Sequence, residues 1–448
     1  MARSSPYLCA ALVFLIVFVQ SYRRHLWFGS GGKDLGLFHQ SAWLLSRFES
    51  PHNTLLGSHA FADHLEFIDI AAAPLQWIWP AAGALLLFQA LLVGLGVVPL
   101  FDLAKRRLGS LSAAWLMAVV YLCGIDMQNA VMFDWNPTTC GAALLPWVVW
   151  LFERGRVVGF AFAVAALALT KENLVLYALA LCLTLARGTE RRAALAAAAV
   201  LAAWFVIEIK VLFPLFGGEF RHLRYPALGD SGLEIARSVL ASPHRAFALL
   251  LTPGAKIDGL LAPFSSVAFA CVLAPRYGIA FAPAVLERFW SAHSNRWWDH
   301  HYGAGIGVLA VLAAIEGLGR LKVWADTRGR RDLAPAAVVA VLLACVAIAS
   351  LPRFGPGPLW VWRHSYYASP QDRRDAEALV ARVPPGAPLA AQNHLLPHLS
   401  ARPKLFEISR PVRAEFVALD LAQAAWPFER GYPRKLAGEL LREGYGVV

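Results

Sequence analysis

Charge is scarce in this chain. Only 16% of the 448 residues are Asp, Glu, Lys or Arg, 58% are hydrophobic, and the mean hydropathy is +0.51. A soluble protein of this size would expose far too much apolar surface, so the soluble enzyme classes are excluded. The six cysteines, Cys9, Cys123, Cys140, Cys182, Cys271 and Cys345, contain no CxxC pair, and all lie in or beside apolar segments. They read as small core residues, not as disulfides or metal ligands. There is no phosphate-binding P-loop and no dinucleotide glycine fingerprint, which argues against an ATP-driven pump and against a nucleotide partner. No internal repeat is visible. The first apolar run has no small-x-small cleavage site after it; Tyr22, Arg23 and Arg24 follow instead. It reads as an uncleaved first span.

What is present is a series of apolar runs of about 15–20 residues, the length that bilayer thickness demands of a helix. They do not alternate as barrel strands would. The expected fold is an all-α polytopic membrane bundle of about 11 transmembrane helices: 7–22, 84–102, 112–126, 138–152, 157–170, 173–186, 193–213, 257–274, 277–290, 302–320 and 333–350. The segment 67–80 is also apolar, but Pro74 lies inside it and Pro80 at its end, so spanning and re-entrant readings both stay open. The net charge of +11 comes from 41 basic and 30 acidic residues scattered between the runs. That scatter disfavours nucleic-acid binding and suits the basic bias of cytoplasmic loops. With these spans, the clusters Lys105–Arg107, Arg154/Arg156, Arg187/Arg191/Arg192 and Arg320–Arg331 all fall on one side, which the same rule makes cytoplasmic along with the N-terminus. Arg23 and Arg24 then fall on the outer side, against the rule.

The outer face collects the remaining polar residues. The loop 23–83 holds Asp34, His39, Glu49, His52, His59, Asp63, His64 and Glu66. To these are added Asp134 with Trp135, Asn136 and Pro137, the turn Lys171-Glu172-Asn173, the patch Arg221, His222, Arg224 and Tyr225, and the run Asp299, His300, His301 and Tyr302. An amphipathic helix is expected over 231–240. Ionisable groups at membrane depth are costly, so those kept at helix ends are functional candidates. The expected domains are 1–350 as the membrane domain, 351–370 as a Pro/Gly/aromatic linker and 371–448 as a small outer-face α/β domain. In the last, a helix at 372–382, strands at 387–391, 404–408 and 415–420, and a helix at 433–443 alternate. At Tyr445 the pattern would start another strand.

The runs DLGLFHQSAWLLSR, ADHLEF and LLLFQALLVGLGVVPLFDLAKRRLG resemble a family of predicted polytopic prokaryotic membrane proteins, designated a domain of unknown function. The likeness continues through FDWNP, the KEN turn, YPALGDSGLEI, LAPRYGIAFAPAVLERFWS and DHHYGAGI, and into PPGAPLAAQNHLLPHLSARPKLFEI and EFVALD. This sequence has Asn136 and Asn173 where the family often has His and Asp. The family is in turn similar to the GT-C glycosyltransferases of the protein-mannosyltransferase and aminoarabinose-transferase type. That resemblance implies a GT-C-like bundle in the bacterial inner membrane, working in the cell envelope. It implies transfer of a hexosyl or pentosyl group from a polyprenyl-phosphate carrier to an acceptor on the outer face. GT-C enzymes place an acidic residue early in the first outer loop, and Asp34 stands there, as a single acid between Lys33 and Leu35.

Such a transfer needs a base for the acceptor and a cationic group or metal for the phosphate. Asp34 is the candidate base; its alternative role is to cap a helix over 35–47. Asp63 and His64 are the second catalytic candidates, orienting the substrate; a divalent metal ion held with His59 or Glu66 stays open, and so does a capping role before a helix at 65–79. His39, Asp134, Lys171, Glu172, Arg221, Arg224, Tyr225, His300, His301 and Tyr302 are candidate substrate-binding residues. For Lys171 and Glu172 an ion pair tying two helices is the structural alternative. Two other functions compete: a lipid or solute transporter or flippase, which would be expected to show paired broken helices or repeated halves and polar groups at mid-membrane, and an assembly protein that uses the bundle only as an anchor.

Overall fold

In a computed structural model, the described residues are 4–220, 225–298, 300–351, 369–409, 411–412, 414–423, 426–429 and 431–448. Arg221, His222, Arg224, Asp299 and most of the expected linker lie outside them. The first span, Ser5–Leu26, runs along Gly83–Leu108. Gly94 makes that approach possible: a Cβ there would stand 2.8 Å from the Ala10 carbonyl oxygen. The Ala- and Gly-rich helix Ala304–Asp326 is buried on nearly every side for most of its length, as expected of a helix that is apolar all round.

By length and composition, four described helices can cross a membrane: Ser5–Leu26, Gly83–Leu108, Arg191–Leu215 and Asn295–Asp326. Two bent pairs raise this to six, Leu111–Cys123 with Ile125–Phe133 at 52° and Pro243–Leu251 with Ala255–Ser265 at 77°. Eleven spans are not reached by that measure. The reason is that several apolar runs break, at Gly124, after Ser265 and between Pro137–Ala142 and Leu145–Glu153, into helices too short to qualify. The segment 67–80 forms only Ile68–Ala72 and a 3-10 turn Ala73–Trp77. Ten helical residues cover about half of a bilayer's hydrocarbon core, so this segment does not span.

The basic clusters converge at one end of the bundle. Glu316 is buried among Arg320 (2.7 Å), Arg187 (3.6 Å), Arg107 (3.8 Å) and Arg276, while Arg154 pairs with Asp102 at 2.7 Å. The opposite helix ends meet the loop 23–83, the expected first outer loop, including a small hairpin of β1 (His52–Asn53) and β2 (Ser58–His59).

After the membrane helices come helix Pro370–Arg382, strands β3 (Leu389–Ala391), β4 (Leu405–Glu407) and β5 (Phe416–Ala418), and helix Tyr432–Arg442. The strands form a parallel sheet in the order β4-β3-β5. Each helix covers one face, Ala376 among Leu389, Ala391 and Leu405, and Leu436 and Leu440 among Ala390 and Ile408. Phe28 and Leu55 of the loop 23–83 join the first of these clusters, so this C-terminal unit, expected on the outer face and called the outer unit below, is seated on that loop. No strand forms at Tyr445; its hydroxyl donates to the Ala414 carbonyl instead.

Candidate active site

A cavity of about 180 Å³ opens where the first outer loop meets the helix ends away from the arginine cluster. Asp34, Asp63, His64, Lys171, Glu172, His301 and Tyr302 line it, from four separate stretches of sequence. Asp34 is carried on a π-helical turn, Gly32–Gly36, just before helix Leu37–Ser46. That helix has Gly36 at its N-cap and no side-chain cap, so Asp34 does not cap it. Among the described residues the Asp34 carboxylate accepts no hydrogen bond. Burial, and then the charge of Asp134, push its pKa up to about 7, against the pull of His300, Arg24 and Lys171.

The KEN turn ties the cavity wall to the first outer loop. Lys171 Nζ meets Glu66 Oε1 at 2.5 Å, and Glu172 accepts from the Leu65 amide at 3.1 Å and pairs with His64 Nδ1 at 2.7 Å. Lys171 and Glu172 therefore each pair with the loop and not with one another. Burial and Lys171 press the His64 pKa down, but Glu172 and Glu66 outweigh them and the net direction is up. Asp63 ends the short helix Ala60–Asp63, which His59 caps, so neither Asp63 nor His64 opens a helix. His59 itself stacks on Phe216 at 4.8 Å. Among the described residues no group of three or more His, Cys, Asp or Glu could hold a metal ion.

The other candidates lie apart from the cavity. His39 is buried between Ser400 Oγ (2.7 Å) and Gln76 Oε1 (2.9 Å), and burial lowers its pKa to about 4. Asp134 pairs with Arg24 at 2.7 Å and accepts from the Gly31 amide at 2.9 Å, bracing the turn that carries Asp34. Tyr225 packs against Trp290, and His300 sets its ring on Phe133 at 4.1 Å. Arg221 and Arg224 are among the residues not described.

Four ionisable lining residues carry no signal in the sequence: Asp69, Tyr177, Glu287 and Arg296. Glu287 accepts from Asn173 Nδ2 at 2.9 Å and from the Tyr177 hydroxyl at 3.2 Å. Asp69 is buried in the segment that looked merely apolar. Arg296 sits in SAHSNRWWDHH, a run that was noted for its histidines and tryptophans. Among the described residues its guanidinium has no hydrogen bond or ion pair; it stands over the Tyr302 ring at 5.6 Å.

A family model described as a predicted membrane protein, DUF2079, matches residues 24–448. The chain belongs to the DUF2079 family. Among curated proteins, no match is found. Among solved structures, this DUF2079 chain is similar to ArnT from Cupriavidus metallidurans bound to undecaprenyl phosphate, with a TM-score of 0.55 at 15% identity over 92% of this chain and 87% of that one. ArnT from the same organism in the apo state gives 0.54 at 14% identity, covering 91% and 86%. The likeness covers nine-tenths of the chain, and at this identity it establishes an ArnT-like fold for the DUF2079 chain.

Proposed function

We propose that this chain is an integral membrane glycosyltransferase that moves a sugar from a polyprenyl-phosphate carrier to an acceptor on the outer face of the membrane. The observation that carries this reading is the presence, in one cavity of an ArnT-like fold, of a carboxylate without a hydrogen bond and a guanidinium without an ion pair among the described residues. In the ArnT structure the fold holds undecaprenyl phosphate, which supports a polyprenyl phosphate as the partner here.

Asp34 takes the proton from the acceptor as the acceptor oxygen attacks the anomeric carbon. The bond from that carbon to the phosphate oxygen breaks, and the polyprenyl phosphate leaves with the electron pair. Arg296, with Lys171 behind it, holds the developing phosphate charge. Glu172, His64 and Asp63 fix the wall against which the sugar lies, and His301 and Tyr302 close it. A base with a pKa of about 7 is well matched to neutral pH.

The test is turnover of a panel of polyprenyl-phosphate sugars by the purified protein in lipid. Asp34→Asn is expected to lose roughly 100- to 10,000-fold in kcat while its thermal transition persists. The wild-type kcat/KM is expected to fall as the pH drops below about 7, where Asp34 gains its proton. Wild-type protein that neither binds nor turns over any carrier would refute the reading.

A further inference from the structure

The outer unit reaches into the turn that carries Asp34. Asn393, just after β3, accepts at Oδ1 from the Gly32 amide at 2.9 Å and from the Lys33 amide at 3.4 Å, and its main-chain carbonyl accepts from Gly32 at 2.9 Å. Gly32 has no side chain because there is no room for one: a Cβ would stand 2.7 Å from Leu396 Cβ. Lys33 Nζ lies 3.3 Å from Glu407 on β4. On the other side of the turn, Asp134 holds the Gly31 amide. Three consecutive N–H groups before Asp34 are thus satisfied by side chains from distant parts of the chain. Since the Asp34 carboxylate makes no hydrogen bond among the described residues, its place is set by these backbone clamps alone.

We propose that Asn393 is a positioning residue for Asp34, and that the outer unit completes the candidate active site by holding the turn from which the carboxylate faces the cavity. The proposal rests on the reading of Asp34 as the base. The charges acting most on that carboxylate are Arg24 from the first span, Asp134, Lys171 from the KEN turn and His300, and Asp63, His64, Glu66, Asp69 and Arg296 share its cavity. Among the described residues none of them hydrogen-bonds Asn393. What a loosened turn alters is the carboxylate's access to water, which lowers its proton affinity toward the ordinary carboxylate range.

The experiment follows Asp34 directly. A hydrophobic carbodiimide reacts with protonated carboxyl groups, and mass spectrometry of the full-length protein in lipid gives the fraction of Asp34 labelled against pH. Half-labelling is expected near pH 7 in the wild type, about where Asp34 titrates. Asn393→Leu is expected to move the midpoint to lower pH by about one unit or more. It should also lower kcat by about tenfold or more, with KM for the carrier within about twofold. Asn393→Asp keeps the acceptor and should return the midpoint to the wild-type value or above. If Asn393→Leu does not fold, Asn393→Ser, whose oxygen is too short to reach both amides, asks the same question. An unchanged midpoint in the variant overturns the proposal. A midpoint that moves in a protein that turns over no carrier leaves the clamp standing and removes the transferase reading.

Discussion

Three described cations line the cavity, and only one lacks an anionic partner. Lys171 is matched by Glu66 and Lys33 by Glu407, while Arg296 rests on Tyr302. Among the described residues the cavity thus offers a guanidinium without an ion-pair partner, and a phosphate ester is an anion that suits it. Arg296→Ala is therefore expected to lower kcat with polyprenyl-phosphate substrates by roughly 10- to 1000-fold. Arg296→Lys keeps the charge but loses the planar fork, and should recover only part of that loss. Steady-state kinetics on both variants, beside their thermal transitions, check this; an Arg296→Ala protein with wild-type kcat and KM would remove Arg296 from the reaction. Arg24 illustrates the opposite case. By the charge rule it stands on the wrong side, yet it has a specific reason to be there, because it neutralises Asp134 behind the Asp34 turn.

At the scale of elements, the first outer loop and the KEN turn behave as one piece because a short helix, a hairpin and a helix start are tied by buried polar pairs. The His64–Glu172 pair gives this tie a pH dependence. The folded-state pKa of His64 lies above its ordinary value. The pair's contribution is therefore complete below about pH 6.5, where the unfolded histidine is also charged, and it is lost as the pH rises through the raised folded value. Glu172→Gln should cost about 1–3 kcal/mol at pH 6 and progressively less in mild alkali. Thermal transitions of the two proteins across pH 6 to 9 test this, and a gap that widens with pH would contradict it. The helices and strands of the outer unit fall within two or three residues of where Gly, Pro and apolar alternation place them, since those signals are local. The turn at Gly32–Gly36 carries no such mark. A helix start at 35 looked natural there, and the π-helical turn follows from Asn393 and Asp134, which lie about 360 and 100 residues away. Asp69, Glu287 and Arg296 were illegible for a related reason: Asp69 lies in an apolar stretch, Glu287 next to Arg288 and Arg296 among aromatics and histidines, and only tertiary packing brings them to one cavity.

For the whole molecule, the arrangement has a direction. Arginines around Glu316 occupy one end of the bundle, and the cavity with the outer unit occupies the other. We propose, from the distribution of basic loop residues, that the arginine end lies in the cytoplasm, so that the cavity opens to the side where a carrier-borne sugar would be presented. The chain's own cysteines make this simple to examine. Five of the six are buried and Cys123 is partly so, so an impermeant thiol reagent meets little background. Ser50→Cys, on the exposed part of the first outer loop, should label in intact cells, and Arg191→Cys, exposed at the arginine end, only after the membrane is opened. The reverse pattern would turn the molecule over. It would place Asp34 and Arg296 on the cytoplasmic face and leave a nucleotide-free sugar transfer at the outer surface without a site.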